Sequence, residues 1–258
     1  MKAYSLFSGS TGNSFFVSEG QTKILIDCGM CARSVEAALN SVGTSQSELD
    51  AIFVTHEHTD HTRGLEVISK HNPALPVYMA ERSARALIKD KSSALLHNLV
   101  LFDCEYSTKI GDLTVTSFPT PHDSACSVGY TIGGISQKIG FSTDIGCITK
   151  PVASALSECD AAVVEANHDI TMLTLGPYPY DLKCRIKANT GHLSNDDCGR
   201  LCRALAACGV KSFLLAHISK ENNTPALAVD TVKKALADFP SVTVAAADAG
   251  NITELVIL

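Results

Sequence analysis

Residues 53–63 read FVTHEHTDHTR, so three histidines and one aspartate fall within six positions directly after an apolar run. They are His56, His58, Asp60 and His61. Imidazole and carboxylate groups are the ligands that borderline divalent metals prefer in proteins. On extended backbone, His56 and His58 point the same way, whereas Asp60 and His61 diverge. The spacing therefore favours two metal ions over one.

Three more polar residues stand at the carboxyl ends of other apolar runs, namely His122, Asp144 and His217. Functional groups of layered α/β folds collect at this edge of a sheet. Taken singly, each of the three could equally be a hydrogen-bonded loop residue or a helix cap. Their recurrence at four strand ends predicts that they converge with the HEHTDH segment on one metal site.

The elements that must position these residues alternate between strands and helices. Alternating or continuous apolar runs predict strands over residues 4–7, 14–18, 23–29, 51–55, 76–80, 99–102, 113–120, 127–132, 138–144, 161–166, 211–217, 242–247 and 252–258. Helical spacing and caps predict helices over residues 32–43, 64–72, 81–89, 178–187, 195–209 and 224–237. In both halves of the chain a strand-rich section is followed by helices. The sequence therefore predicts an α/β (α+β) fold, with two sheets packed face to face, helices on the outside, and one domain over residues 1–258.

The formal net charge of -6 and the pI of about 5.8 argue against a protein that coats nucleic acid or acidic membranes through bulk charge. The overall charge is still compatible with a local basic groove. No apolar run reaches the length of a signal peptide or of a membrane span, so we expect a cytoplasmic protein with no membrane partner.

The ten cysteines are scattered between Cys28 and Cys208 without the spacing of a disulfide framework. We therefore expect free, buried thiols. Cys28 and Cys31 form a lone CxxC, which is weak evidence for zinc or redox chemistry.

A strand-ending aspartate (Asp27 in ILIDCG), the H-x-H-x-D-H segment, and then a histidine, an aspartate and a histidine follow one another along the chain. This order resembles the signature of the metallo-β-lactamase superfamily. The resemblance covers nearly the whole chain and implies a four-layer αβ/βα sandwich. It also implies two divalent metal ions per chain that share a hydroxide. Zinc fits mixed His/Asp ligation best, while manganese, iron or nickel would be accepted by much the same ligands.

The same resemblance implies a role for each residue of the signature. The first ion would be held by His56, His58 and His122. The second ion would be held by Asp60, His61 and His217. Asp144 would bridge the two ions, and Asp27 would hydrogen-bond the ligand loop into shape.

Members of this superfamily act on lactams, thioesters and phosphodiesters or transfer electrons, so the fold alone leaves the reaction open. The flavodiiron branch is disfavoured because His58 stands where that branch has glutamate. Secreted lactamases are disfavoured because they usually carry an export signal, which we do not find here. Cleavage of a phosphodiester requires a proton donor for the departing alkoxide. His192 in GHLSN, oriented by Glu165 at a strand end, is similar to the Glu and HST pair of the tRNase Z branch. We therefore expect His192, Glu165 and Asp60 to be catalytic, although His192 at a helix start could equally be structural.

Six longer motifs narrow the resemblance to one family: SGSTGNS, TPHDS, VVEANHD, GPYPYDLKCRI, GHLSN and LLAHISKENNTP. They are similar to those of the YycJ/WalJ family of bacterial hydrolases, which implies a 5′–3′ exonuclease acting on DNA or RNA. Residues 178–187 mix aromatic and basic side chains, as single-stranded nucleic acid binding requires, although a solvated helix would look the same.

The interval from Asp144 to His217 is too short for the inserted β-CASP domain of related nucleases. Small cyclic or nucleotide phosphodiesters therefore stay open as substrates. The sequence is also compatible with a thioesterase, a lactamase or a non-catalytic metal-binding regulator. It leaves the oligomeric state open.

Overall fold

The computed structural model describes residues 1–88, 98–248 and 250–257. Within these residues the chain forms two sheets of seven strands each. The strands are β1 (Lys2–Phe7), β2 (Ser14–Glu19), β3 (Thr22–Ile26), β4 (Ala51–Val54), β5 (Val77–Ala80), β6 (Leu99–Phe102), β7 (Tyr106–Ile110), β8 (Leu113–Pro119), β9 (Val128–Gly133), β10 (Lys138–Ser142), β11 (Ala161–Glu165), β12 (Ser212–Ala216), β13 (Thr243–Ala246) and β14 (Thr253–Glu254). The helices are α1 (Ala32–Ser41), α2 (Thr59–Thr62), α3 (Leu65–His71), α4 (Glu81–Ile88), α5 (Lys150–Leu156), α6 (Ile170–Leu175), α7 (Tyr180–Lys187), α8 (Asn195–Ala207) and α9 (Pro225–Ala235), with a 3₁₀ turn at Gln46–Glu48.

The two sheets repeat one plan. The first has the order β14-β1-β2-β3-β4-β5-β6, and the second has the order β13-β12-β11-β10-β9-β8-β7. In each sheet, antiparallel hairpin strands lead into strands that pair in parallel: β3 to β6 in the first sheet and β10 to β13 in the second. The parallel strands need helical crossovers, and these supply the outer helices.

Continuous apolar runs are divided between two faces because side chains alternate along a strand. In β4, Phe53 belongs to the cluster between the sheets, whereas Ile52 belongs to the cluster under the helices of the first sheet. In β11, Val163 and Val164 divide in the same way between the central cluster and the helices of the second sheet. The molecule is therefore layered as helices, sheet, sheet and helices, and the predicted four-layer sandwich is confirmed.

Helix ends also follow from the sequence. The hydroxyl of Ser194 accepts a hydrogen bond from the backbone N–H of Asp197 and begins α8. The hydroxyl of Thr224 caps α9 in the same way, and Pro225 occupies its first turn. None of the helices in the described part of the chain has the length and apolar character that a membrane crossing requires.

The predicted strands and helices are present, although the strand predicted over residues 252–258 is reduced to Thr253–Glu254, and the prediction omitted one strand, three helices and the 3₁₀ turn. Strand β7 reads YSTKI and alternates only between half-buried and exposed positions, so its pattern is faint. Helix α2 has four residues, too few for a periodic signal, and α5 and α6 are scarcely longer. Residues 89 and 258, at the ends of a predicted helix and strand, lie outside the described residues.

The expectation of free, buried thiols is confirmed for Cys159, Cys198 and Cys202 and was wrong for other cysteines. Cys104 and Cys126 form a disulfide. Their Cα atoms are 6.7 Å apart although 22 positions separate them in sequence, because β7 and β8 form a hairpin between them. Among the remaining thiols, those of Cys31, Cys184 and Cys208 are exposed.

Candidate metal centre

The predicted site residues lie together because each follows a strand at the same end of the two sheets. His56 follows β4, His122 follows β8, Asp144 follows β10 and His217 follows β12. His58 to His61 lie on the loop and the short helix α2 that continue from β4. The sandwich therefore brings the ends of four strands to one rim.

Three residues at this rim have left-handed backbone. Asp27, Asp144 and His217 have φ angles of 60°, 56° and 54°, a region that residues other than glycine rarely adopt. In the described residues these are the non-glycine positions with positive φ. Such strain persists only where the surrounding structure over-determines it, and it concentrates at functional sites. The local conformation is therefore a second, independent mark of the site.

The first group of potential ligands consists of His56, His58 and His122. The Nε2 atom of His122 lies 3.3 Å from Nδ1 of His58. Two nitrogens bound to a tetrahedral zinc at about 2.0–2.1 Å would lie roughly 3.3–3.4 Å apart. The backbone carbonyl of Gly191 orients His122 through Nδ1, at 3.3 Å, and the hydroxyl of Thr55 orients His56 in the same way, at 3.0 Å. The three rings therefore have the spacing that one metal ion requires.

The second group consists of Asp60, His61 and His217. The Oδ2 atom of Asp60 lies 3.5 Å from Nε2 of His61 and 3.7 Å from Nε2 of His217. Both histidines are buried, whereas the side chain of Asp60 is 23% exposed. This group therefore opens to solvent through its carboxylate.

Asp144 lies between the two groups. Its Oδ1 atom is 3.7 Å from Nε2 of His122 and 3.6 Å from Nε2 of His217, and its Oδ2 atom is 3.2 Å from Nε2 of His61. One carboxylate thus contacts ligand nitrogens of both groups. This is the arrangement that a bridging ligand requires.

Asp27 supports the ligand loop from below. One of its oxygens accepts a hydrogen bond from the backbone N–H of Thr55, at 2.8 Å. The other accepts from the Thr55 hydroxyl, at 2.9 Å, and lies 2.8 Å from Nδ1 of His61. Because Nδ1 of His61 is held by Asp27, its Nε2 atom faces the cluster.

Sequence reasoning did not assign a role to Asn13, which is fully buried beside the second group. Its amide nitrogen lies 3.1 Å from Nε2 of His61 and 3.4 Å from Oδ2 of Asp60, while its oxygen accepts from the N–H of Gly9. The SGSTGNS motif was the available signal. Gly29 allows this approach, since a Cβ atom there would lie 1.7 Å from the carbonyl oxygen of Asp60.

Whether the residues fit metal ions can be tested on their buried polar atoms. The Nε2 atoms of His56 and His217 are buried and have no hydrogen-bond partner, although such atoms normally have one. Both belong to the two groups described above. Unpaired imidazole nitrogens that face carboxylates at a common point fit divalent cations and have no other role in the packing.

His192 and Glu165, the predicted proton donor and its partner, lie beside this centre. The Nδ1 atom of His192 is 2.8 Å from Oε1 of Glu165 and 3.8 Å from Oδ1 of Asp144. The same Glu165 oxygen lies 3.0 Å from Nδ1 of His217. The structure therefore brings together every side chain that the sequence singled out for the site.

Comparison with known proteins is consistent with this geometry. The beta-lactamase superfamily domain matches residues 22–218. The chain belongs to the beta-lactamase superfamily. Within it, the chain is 32% identical to the exodeoxyribonuclease YycJ of Bacillus anthracis over 231 residues, which cover 90% of this chain and 87% of that protein. It is also 32% identical to the exodeoxyribonuclease WalJ of Streptococcus pneumoniae, with the same coverage. The resemblance to the YycJ/WalJ family is thus confirmed.

Among solved structures, the metallo-beta-lactamase fold protein YhfI of Bacillus subtilis superposes with a TM-score of 0.73, at 19% identity, over 98% of both chains. At this identity the likeness shows the fold alone. Family membership makes the chain a metal-dependent hydrolase, and the histidine and aspartate groups at the strand ends are its candidate metal ligands.

Burial and neighbouring charges shift the pKa values of the candidate ligands in different directions. Burial, reinforced by the neighbouring His61, lowers the pKa of His56 well below its usual value. Burial also lowers the pKa of His122. Burial opposes the ionised form of Asp144 as well, but the adjacent His217 and His61 hold its pKa well below the usual range. His56 and His122 are therefore favoured as neutral imidazoles and Asp144 as an ionised carboxylate, the forms that bind metal.

Without bound metal, the carboxylates around His217 outweigh the effect of burial on its pKa. Burial alone would lower the pKa of His217, but Asp144, Asp60 and Glu165 together raise it to about 10. The same logic applies to His192, where burial is outweighed by Glu165 and the pKa is raised overall. The pKa of Glu165 falls to about 2 because His192 and His217 outweigh its burial. The protonated form of His192 therefore persists to higher pH than that of an ordinary histidine.

Glu165 also belongs, with Asp144, His192 and His217, to another group of side chains that could hold a metal ion. Its hydrogen bonds argue against that role. Besides the two imidazoles on Oε1, its Oε2 atom accepts from the backbone N–H of Ile145, at 2.8 Å, and of Leu193, at 3.3 Å. A carboxylate with both oxygens so engaged orients its neighbours rather than binding a cation.

The basic residues of α7 are engaged within the protein. The ammonium group of Lys183 donates to the carbonyls of Thr174 and Gly176, at 2.9 and 2.7 Å, and that of Lys187 donates to the Thr174 hydroxyl. Arg185 pairs with Asp123, at 2.6 Å, directly beside the candidate ligand His122. These contacts fix α7 over the metal centre.

Proposed function

We propose that this chain is a dinuclear metal-dependent phosphodiesterase that removes nucleotides from the 5′ end of nucleic acid. The relatives named exodeoxyribonuclease, at 32% identity over 90% of the chain, support the substrate class. The observation that carries the chemistry is the 2.8 Å contact between His192 and Glu165 at the edge of the ligand groups. That pair supplies what phosphodiester cleavage needs beyond a metal ion, a proton donor held in place.

The proposed ligands are those that the family signature implies, arranged as two sets of three with Asp144 between them. One ion would be held by His56, His58 and His122, and the other by Asp60, His61 and His217. When bound, such a pair of cations activates a water molecule and neutralises charge on the phosphate oxygens. Zinc suits the ligands best, and manganese, iron or nickel would suit much the same set.

His192 protonates the leaving group in this proposal. Hydrolysis at the 5′ end forms a bond from water oxygen to phosphorus and breaks the bond from phosphorus to O3′ of the terminal nucleoside. The departing O3′ takes a proton, and His192 gives that proton from Nε2 because Nδ1 is engaged with Glu165. Glu165 keeps the ring charged and oriented between turnovers.

Asp60 serves both the metal and the reaction in this proposal. It is the solvent-exposed carboxylate of the second group, with 23% of its side chain accessible, whereas Asp144 is 3% exposed. Asp60 is therefore the carboxylate placed to contact the attacking water. Burial alone would raise its pKa, but the adjacent His217 and His61 lower that pKa overall, so Asp60 is ionised and able to accept a hydrogen bond.

We also infer that residues 1–258 act as one catalytic unit without an inserted clamp domain. The interval from Asp144 to His217 holds two strands, β11 and β12, and four short or medium helices, α5 to α8. The groove for the nucleic acid would then be made by α6 and α7, which flank His192, or by a second copy of the chain.

The proposal is tested with protein loaded with zinc or manganese. The substrates are single- and double-stranded DNA and RNA, labelled at either end. We expect 5′-labelled strands to release labelled mononucleotides first, while 3′-labelled strands shorten progressively. Asp144→Asn is the matched inactive control. Preferential cleavage of a thioester, a lactam or a cyclic mononucleotide, with no product from any nucleic acid, would reject the proposal in favour of another hydrolase of this fold.

A further inference from the structure

A cavity of about 180 Å³ opens directly beside the metal centre and is not accounted for by the ligands or the proton donor. His192 and His217 form its inner end. Its walls are made by Tyr178, Leu182 and Ile186, and its polar lining includes Asn167, Ser10 and Ser219. Its occupant would therefore touch the proposed proton donor.

The charge of this lining indicates what the cavity binds. Arg185 is the only lysine or arginine in the described lining, and Asp123, which also lines the cavity, pairs with it at 2.6 Å. A phosphate would have to displace that carboxylate. Apart from His192 and His217 at the inner end, the remaining walls are apolar or neutral, which suits an uncharged planar group with a few hydrogen-bonding edges. A nucleoside meets that description.

The size of the cavity limits the occupant to one such group. Pockets that bury a drug-sized ligand enclose roughly 300–1,000 Å³. At about 180 Å³ the cavity falls below that range and has no room for a dinucleotide.

Tyr178 lines the cavity from a segment of restricted backbone. It stands between Pro177 and Pro179, which restrict the backbone on both sides. The turn that carries it is tied down by Lys183, whose ammonium group donates to the carbonyl of Gly176. A preorganised aromatic ring loses little entropy when a base stacks on it.

We propose that this cavity binds the nucleoside of the 5′-terminal nucleotide, with its base stacked on Tyr178 and its sugar edge near Ser10 and Ser219. The inference rests on the proposed function and deepens it. In cleavage from a 5′ end the leaving O3′ belongs to the terminal nucleoside, so that nucleoside must lie next to the proton donor. The cavity lined by His192 is in that position. Occupation by one nucleoside at a time would make the cleavage exonucleolytic.

The test compares 5′-phosphorylated single-stranded DNA having a normal terminal nucleotide with the same strand having an abasic terminal nucleotide. With the normal strand, Tyr178→Ala should raise KM about tenfold, the size expected for one lost base-stacking contact, while Tyr178→Phe stays within about twofold. Ile135→Ala is the control, because Ile135 is 81% exposed in the turn between β9 and β10 and does not line the cavity. Metal content, measured on every variant, reports whether the site is intact.

The abasic strand separates stacking from other effects. For the unaltered protein, KM should be about tenfold higher on this strand than on the normal one, and Tyr178→Ala should raise it no further. Equal losses for Tyr178→Ala on both strands, or equal losses for Tyr178→Ala and Ile135→Ala, would overturn the inference while the exonuclease stands. Failure of the unaltered protein to shorten any strand would overturn the proposed function and this inference with it.

Discussion

Glu165 holds His192 and His217 with the same carboxylate oxygen, at 2.8 Å from Nδ1 of His192 and 3.0 Å from Nδ1 of His217. The proposed proton donor and a proposed metal ligand are thus oriented by one fully buried group. Both rings consequently present Nε2 to the reaction space. A change at Glu165 should therefore affect both the proposed metal ligand His217 and the proposed proton donor His192.

Replacing His192 by alanine should remove the proton donor and leave the metal ligands in place. On a nucleic acid substrate, whose alkoxide is a poor leaving group, turnover should fall about 10²–10⁴-fold. On a nitrophenyl phosphodiester, whose leaving group needs no proton, the loss should be much smaller. Steady-state kinetics on the two substrates, together with elemental analysis, would check this. Equal losses on both substrates would point to a structural His192.

Replacing Glu165 by glutamine should shift the pH dependence of turnover. Glu165 raises the pKa of His192, so removing its charge lowers that pKa. His192 must be protonated to act as an acid, and its protonated form is lost as pH rises through its pKa. The alkaline limb of the kcat profile should therefore move to lower pH in Glu165→Gln. An alkaline limb at the same pH in both proteins, with metal content equal, would contradict the assignment.

Replacing Asp27 by asparagine should weaken metal binding although Asp27 is not among the proposed ligands. Its carboxylate holds His61 and Thr55, and loss of such supporting contacts typically lowers metal affinity about 10–100-fold. Competition with a chelating dye would measure the change. Asp238→Asn, at an exposed ion pair with Arg203, is the control and should bind metal as the unaltered protein does. Unchanged affinity in Asp27→Asn would show that the ligand loop is fixed by other contacts.

Replacing Tyr130 by phenylalanine should lower the free energy of unfolding by about 1 kcal/mol. The Tyr130 hydroxyl lies between the sheets, 1% exposed, and donates to the carbonyl of Val54, at 2.7 Å. Urea denaturation would measure the loss, with the exposed Tyr180→Phe as a neutral control. A stability equal to that of the control would mean that the hydrogen bond between the sheets contributes nothing net.

Much of the fold was readable because burial on both faces leaves a strong pattern. The run that contains Ile52 and Phe53 is continuous in sequence, yet its side chains divide between two hydrophobic layers. Such runs predicted parallel strands inside a layered sandwich, and polar residues at their ends predicted the rim. The site residues could be found because Asp144 and His217 interrupt apolar runs where a core residue would otherwise continue.

Other features depend on contacts that no local pattern encodes. Asn13 reaches His61 across 48 positions, and only the close packing at Gly29 brings the two loops together. The pairing of Cys104 with Cys126 follows from a hairpin whose first strand has a faint pattern. The left-handed conformations of Asp27, Asp144 and His217 likewise come from tertiary packing, because propensity alone disfavours them.

The central claim is that two metal ions share Asp144, each held by its own set of three side chains. Elemental analysis of the purified, metal-loaded protein and of two variants tests it most directly. We predict two ions per chain in the unaltered protein and about one in each of His58→Ala and His217→Ala, because each variant removes a ligand of one ion only. One ion or none in the unaltered protein, or two in both variants, would contradict the account.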